Sequence, residues 1–191
     1  LNAAFVIFDR MTALDFVGVY DPLTRLRSMD IQPDFSWRVC APSSPVTDDR
    51  GLRFVADTVG ESLAGYDLLV VPGGYGTREL RSNAYFVDWL RSASGVRLKA
   101  AVCTGSLLLG AAGFLQCRKA TTHRGALAEL GQYCSQIVQQ RIVDEGDMIT
   151  AGGVTAGIDL GLHLVQRLAG AEARARVAQQ MEYRYVWEAD A

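Results

Sequence analysis

No part of this sequence stays apolar for long: each hydrophobic run is broken by Gly, Asp or Arg well short of the roughly 18 residues that a membrane span requires. Basic residues are not in excess, with 19 Lys and Arg against 21 Asp and Glu. A net charge of -2, without any run of like charges, gives no electrostatic footprint for a nucleic-acid partner. The four cysteines, Cys40, Cys103, Cys117 and Cys134, form no CxxC and pair with no His at zinc-binding spacing. A chain of 191 residues can build a core without disulfides, so reduced thiols and a cytoplasmic setting are expected. The opening residues read as a strand and not as a basic leader, and no signal peptide is expected. Neither an internal repeat nor a Pro- or Ser-rich linker is present, so a single domain over residues 1–191 is expected.

What the sequence does contain is an alternation of strand-like apolar runs with amphipathic helical ones, the pattern of an α/β protein with a mostly parallel sheet covered on both faces. Strands are expected at residues 3–8, 36–41, 66–71 and 98–102, and a pair at 140–144 and 148–151. Short extended pieces occupy 46–58, with a turn at 48–51. Helices are expected from Thr12 or Asp15 toward Arg27, and at 84–94, 126–130, 154–168 and 171–180. Ligands of open α/β sheets sit beyond the carboxyl ends of the strands. Two abrupt turns fall there, Pro72 to Gly76 and Cys103 to Ser106.

The second of these is the most informative feature. An apolar strand stops at Cys103 and a helix-forming run starts at once, with the small residues Gly105 and Ser106 packed around the turn. This is the layout of a nucleophile elbow, which exposes a side chain above the sheet edge at a helix N-terminus. There the unsatisfied N–H groups and the helix dipole favour a thiolate, so Cys103 is the candidate nucleophile. The alternative is a buried small hydrophobe, the reading that suits Cys40. Cys117 and Cys134 receive no role.

Asp15 is wedged between apolar residues near the start of the first helix. A carboxylate there is favoured by the helix dipole. An apolar setting and a neighbouring thiolate would instead raise its pKa and leave a proton to donate, which makes Asp15 a candidate general acid/base. Gly73 and Gly74 allow either a plain tight turn or close backbone approach to a ligand, with the Gly74 and Thr104 N–H groups as an oxyanion pair. Thr104 is either an N-cap or a hydroxyl that orients water or substrate. His123 is expected to cap a helix and not to pair with Cys103, His163 to pack in the core, Asp21 to be structural or at a dimer edge, and Asp159 to hold a loop or helix end. Gly152 and Gly153 match no phosphate-binding fingerprint. Tyr183, Tyr185 and Trp187 form an aromatic tail suited to covering a pocket or partner surface.

Four blocks together resemble the DJ-1/PfpI superfamily: Leu14-Asp15 with Gly18, Tyr20 and Asp21; Val71 to Gly74; Val102 to Ser106 with Gly110 to Gly113 and Ala120 to His123; and Gly152 to Asp159. Within it the chain is most similar to the isonitrile hydratase branch. The resemblance implies a flavodoxin-like three-layer sandwich related to class I glutamine amidotransferases, a homodimer with the nucleophile near its interface, and a carboxylate at Asp15 beside Cys103. Thr104 stands where protease-like members carry His, so peptidase activity is not expected. Arg124 stands where the hydratases carry an aromatic residue, a departure that bears on the pocket or its substrate. Relatives fused to helix-turn-helix modules share the blocks, but these 191 residues are not expected to include a DNA-binding module.

The implied activity is hydration of an isonitrile to an N-substituted formamide, with Cys103, Asp15 and Thr104 catalytic, Gly73 and Gly74 assisting, and no metal or organic cofactor. Two other readings keep the same elbow. One is glyoxalase-like or hydrolytic chemistry on small carbonyl compounds; the other is a small-molecule or redox sensor in which Cys103 is oxidised without turnover.

Overall fold

A computed structural model describes residues 1–183. Its strands are β1 (Asn2–Val6), β2 (Ser36–Ala41), β3 (Val46–Thr47), β4 (Arg53–Phe54), β5 (Thr58–Val59), β6 (Leu68–Val71), β7 (Leu98–Val102), β8 (Lys119–Ala120), β9 (Gln136–Ile137), β10 (Ile142–Asp144) and β11 (Met148–Ala151). The helices are α1 (Ala13–Ser28), α2 (Thr77–Leu80), α3 (Ala84–Arg91), α4 (Gly105–Ala111), α5 (Leu127–Leu130) and α6 (Ala156–Gln180).

Seven strands form the main sheet in the order β10-β11-β7-β6-β1-β2-β5, all parallel except β10, which runs antiparallel to β11. Every residue of β6, β7 and β11 is buried, which is why β6 reads as a continuous apolar run and not as an alternating one; Lys99 of β7 and Thr150 of β11 are buried with the rest. From β1 the chain crosses to β2 in one direction, and from β6 it crosses to β7 in the other. Because such crossovers are right-handed, the reversal sends the connecting helices to opposite faces. Helices α1 and α6 pack together as one outer layer and α3 and α4 form the other, giving a three-layer α/β sandwich.

The α1–α6 contact is close because small residues line it: a methyl added at Gly18 would come 3.2 Å from the Ile158 nitrogen, and one at Gly161 would come 2.8 Å from Pro22. Helix α6 spans both of the helices expected at 154–168 and 171–180, which meet at Gly170 with φ 91° and ψ 171°. The helix expected at 84–94 ends in a 3-10 turn, Ser92–Gly95, and the one expected at 126–130 begins in another, Arg124–Ala126. His163 corrects its expectation. It is half-buried at the sheet edge, where α6 overlies β10, and its Nε2 lies 2.7 Å from Asp144 Oδ2, a carboxylate that also binds Arg167. Tyr185 and Trp187 lie outside the described residues.

Candidate active site

The crossover direction reverses between β1 and β6, and ligand crevices form at the carboxyl ends of strands around such a point. Three segments leave the sheet there. The loop after β1 ends at Thr12 and leads into α1, whose first turn carries Asp15; the turn after β6 carries Gly73 and Gly74; the elbow after β7 carries Cys103 and Thr104.

Cys103 has φ 56°, the left-handed region that a non-glycine residue enters only under constraint. The constraint is visible on both sides of the residue. Its N–H donates to the Ala151 and Gly152 carbonyls at 3.0 and 2.9 Å, and its own carbonyl accepts from the Ser106 and Thr122 hydroxyls at 3.0 and 2.9 Å. The Thr-Thr-His block therefore supports the elbow's backbone through Thr122.

Asp15 is fully buried, and its Oδ2 accepts from the Gly73 N–H at 3.1 Å. Its Oδ1 is buried without a regular hydrogen bond, but the carboxyl and the Cys103 thiol are close enough for each to shift the other's titration. Burial lifts the Asp15 pKa to about 7, against the opposing pull of the Cys103 thiol and the Gly73 N–H, with Asp49 adding to the rise. Burial and the Asp15 charge push Cys103 to about 12, although the Thr104 N–H and hydroxyl favour the thiolate. The helix N-terminus alone predicts a more acidic thiol. Desolvation and a neighbouring carboxylate outweigh it, so Cys103 at rest is a thiol facing a base.

Gly73 is where these groups meet. A methyl added there would lie 2.8 Å from Asp15 Oδ2, 2.8 Å from Cys103 Cβ and 2.6 Å from the Thr104 nitrogen. Gly74 has φ 135°, and a methyl would come within 2.5 Å of the Arg10–Thr12 backbone. Neither position has room for a side chain. The Gly74 N–H donates to the Thr104 hydroxyl at 3.0 Å, and that hydroxyl lies 3.2 Å from the Gly74 carbonyl. In this state Thr104 ties the turn to the elbow, and the Gly74 N–H reaches an oxyanion only if the hydroxyl swings away.

A pocket of about 180 Å³ opens over the thiol. Cys103, Thr104 and Gly74 line it together with Thr12, His123 and Val154. The rest of the rim comes from the turn between β3 and β4, with Asp49 and Arg50, and from Tyr75 and Arg78 at α2. Asp15 is absent from the lining and sits behind the thiol. His123 lines the pocket, but its Nδ1 caps the following 3-10 turn by accepting from the Gly125 N–H at 3.1 Å. Arg124 lines a separate depression with Thr121, Thr122 and Gln140, so the departure from the hydratase pattern falls outside the thiol pocket.

Asp21 pairs with Arg25 one helical turn on, and Asp159 holds Arg141 and accepts from the Tyr183 hydroxyl at 2.6 Å, tying three segments together. Cys40 is buried and Cys117 exposed. Among the described residues no group of three or more His, Cys, Asp or Glu side chains is placed to hold a metal, and no helix is long and apolar enough to cross a membrane.

The sequence profile of the DJ-1/PfpI family matches residues 2–167. An isonitrile hydratase of Pseudomonas putida is 39% identical over 184 residues, covering 96% of this chain and 78% of that protein. The transcriptional regulator CdhR of Pseudomonas aeruginosa is 31% identical over 181 residues, covering 92% of this chain and 53% of the regulator. The crystal structure of a ThiJ/PfpI family protein from Pseudomonas syringae superposes with a TM-score of 0.88 at 29% identity, covering 98% of this chain and 76% of that one.

Proposed function

The chain belongs to the DJ-1/PfpI family, and from that premise we propose that it hydrates an isonitrile to an N-substituted formamide. The observation that carries this reading is the buried carboxyl–thiol pair, with Cys103 lining a small pocket and Asp15 behind it. The 39% identity to an isonitrile hydratase supports the choice of substrate.

With one proton between them, the pair supplies both parts of the first step. Asp15 takes the thiol proton as Sγ bonds to the terminal isonitrile carbon, and returns it to that carbon. The product is a thioimidate, in which the carbon carries hydrogen, sulfur and a double bond to nitrogen. Water then enters from the pocket and attacks the same carbon. One proton of the water passes by way of Asp15 to nitrogen, and the remaining hydroxyl proton passes to sulfur as the C–S bond breaks and the carbonyl forms, which leaves the formamide and the free thiol. Thr104 and the backbone N–H groups of the turn steady the developing charge and place the water. The pair needs no metal or organic cofactor for these steps.

The reading includes a cytoplasmic homodimer. Leu14 and Val17, on the α1 surface beside Asp15, are 44% and 40% exposed and suited to burial against a second copy. Incubating the protein and its Cys103→Ser variant with cyclohexyl isocyanide tests the activity. Formamide from the parent alone supports it. No turnover by a folded parent moves the weight to an α-oxoaldehyde substrate, read as methylglyoxal converted to lactate, or to the sensor role that the similarity to CdhR suggests.

A further inference from the structure

The rim of the thiol pocket carries a pattern of charge that the hydration chemistry does not use. Asp49 and Arg50 pair with each other, so they contribute no net charge. Arg78 and Arg81 share a single carboxylate, Glu129, at 3.0 and 2.8 Å. The rim and its partners therefore hold three cations against two anions. Arg50 and Arg78 both line the pocket with donors to spare, but Arg50 has Asp49 to itself whereas Arg78 must share Glu129 with Arg81, so the uncompensated cation lies on the Arg78 side. One nitrogen, Nη2, is engaged with Glu129 Oε1, and the side chain is 41% exposed. A guanidinium with a free edge recognises a carboxylate through paired N–H donors, and Lys does so less well. Asp15, the other acidic group of the site, lies behind the thiol and outside the lining.

The size of the pocket limits what can sit there. At about 180 Å³ it has room for a short molecule whose far end reaches the rim. The far end then meets Arg78 and Tyr75, both on the rim.

We infer that the pocket selects small substrates that carry a carboxylate beyond the reacting group, with Arg78 as the recognising cation and Glu129 as the internal anion that the substrate displaces. The reacting group, an isonitrile, rests on the hydratase reading; the anion preference does not.

The test separates the two. Iodoacetate and iodoacetamide both alkylate a thiol, forming the S–C bond with loss of iodide and of the thiol proton, and differ in charge. Their rate ratio at Cys103, followed by peptide mass spectrometry, reports the rim without any isonitrile. Arg78→Gln is expected to lower the iodoacetate:iodoacetamide ratio by about fivefold, the scale of one partly exposed ion pair. Arg78→Lys is expected to restore part of it, and Glu129→Gln to raise the ratio above the parent's, each in a variant whose cooperative thermal unfolding shows it to be folded. Arg91→Gln, in an exposed pair with Asp88, serves as the control. In parallel, isocyanoacetate and its methyl ester are compared for turnover and for their shift of the melting temperature. The acid is expected to be preferred on both counts. Alkylation ratios that Arg78→Gln and Glu129→Gln leave unchanged, or a Cys103 that neither reagent reaches together with equal melting shifts from acid and ester, overturn the inference. The expected ratios with no isonitrile turned over would overturn the hydratase reading alone.

Discussion

Asp15 and Cys103 lie far apart in the chain and meet at Gly73, where burial and the neighbouring carboxyl together keep the thiol protonated. Neither side chain would titrate this way alone. Burial raises both, and the negative charge of Asp15 raises Cys103 further.

The activity is expected to follow the pair and not either residue. Its productive form holds one proton, so kcat/KM rises as pH passes about 7, where Asp15 ionises, and stays level to high pH because Cys103 keeps its proton to about 12. A pH–rate profile between pH 5 and 10 checks this. A profile that falls across neutrality would mean that the doubly protonated pair is the active one.

Replacing Asp15 by Asn is expected to abolish turnover and stabilise the fold. The folded-state pKa is raised from 3.8 to about 7, so ionised Asp15 costs stability that is intact below pH 3.8 and lost as pH rises through 7. The amide carries no such charge and can still accept from the Gly73 N–H. Its melting temperature should exceed the parent's at pH 8, by an amount worth at most about 4 kcal/mol, and approach it near pH 4. Thermal unfolding at the two pH values measures the difference.

Gly73→Ala is expected to cost about 1–3 kcal/mol, because the methyl must displace backbone and both reactive side chains. Activity should fall much further than stability, since displacement of either group by a fraction of an ångström spoils proton transfer. Denaturant unfolding and turnover on the same preparation separate the two effects.

Asp159→Ala is expected to lower stability by about 2 kcal/mol, somewhat below the range for a fully buried pair because Arg141 is 24% exposed. Asp159 lies outside the thiol pocket, so kcat in the folded variant should stay near the parent's.

The parts of the fold set by local pattern were legible in the sequence. The expected strands 36–41 and 98–102 coincide with β2 and β7, because an abrupt change of composition marks their ends. The elbow was legible for the same reason, and its strain at Cys103 follows from a strand turning directly into a helix. Most of the pocket rim was not. Arg78 sits on a four-residue helix too short to show a period, and Asp49 and Arg50 sit in a turn that meets the site only through the fold. His163 was misread because its sequence neighbours are apolar, while its carboxylate partner, Asp144, comes from another strand. The rise in the Cys103 pKa was likewise hidden, since the helix N-terminus is local and the desolvation that overrides it is not.

The central claim is that Cys103 bonds to the isonitrile carbon, and intact mass spectrometry of the protein quenched in acid during turnover tests it most directly. A mass increase equal to that of the whole isonitrile, localised to the Cys103 peptide and absent from Cys103→Ser, is the predicted result. Formamide production by Cys103→Ser at the parent's rate, with no adduct on the parent at any time point, would contradict it.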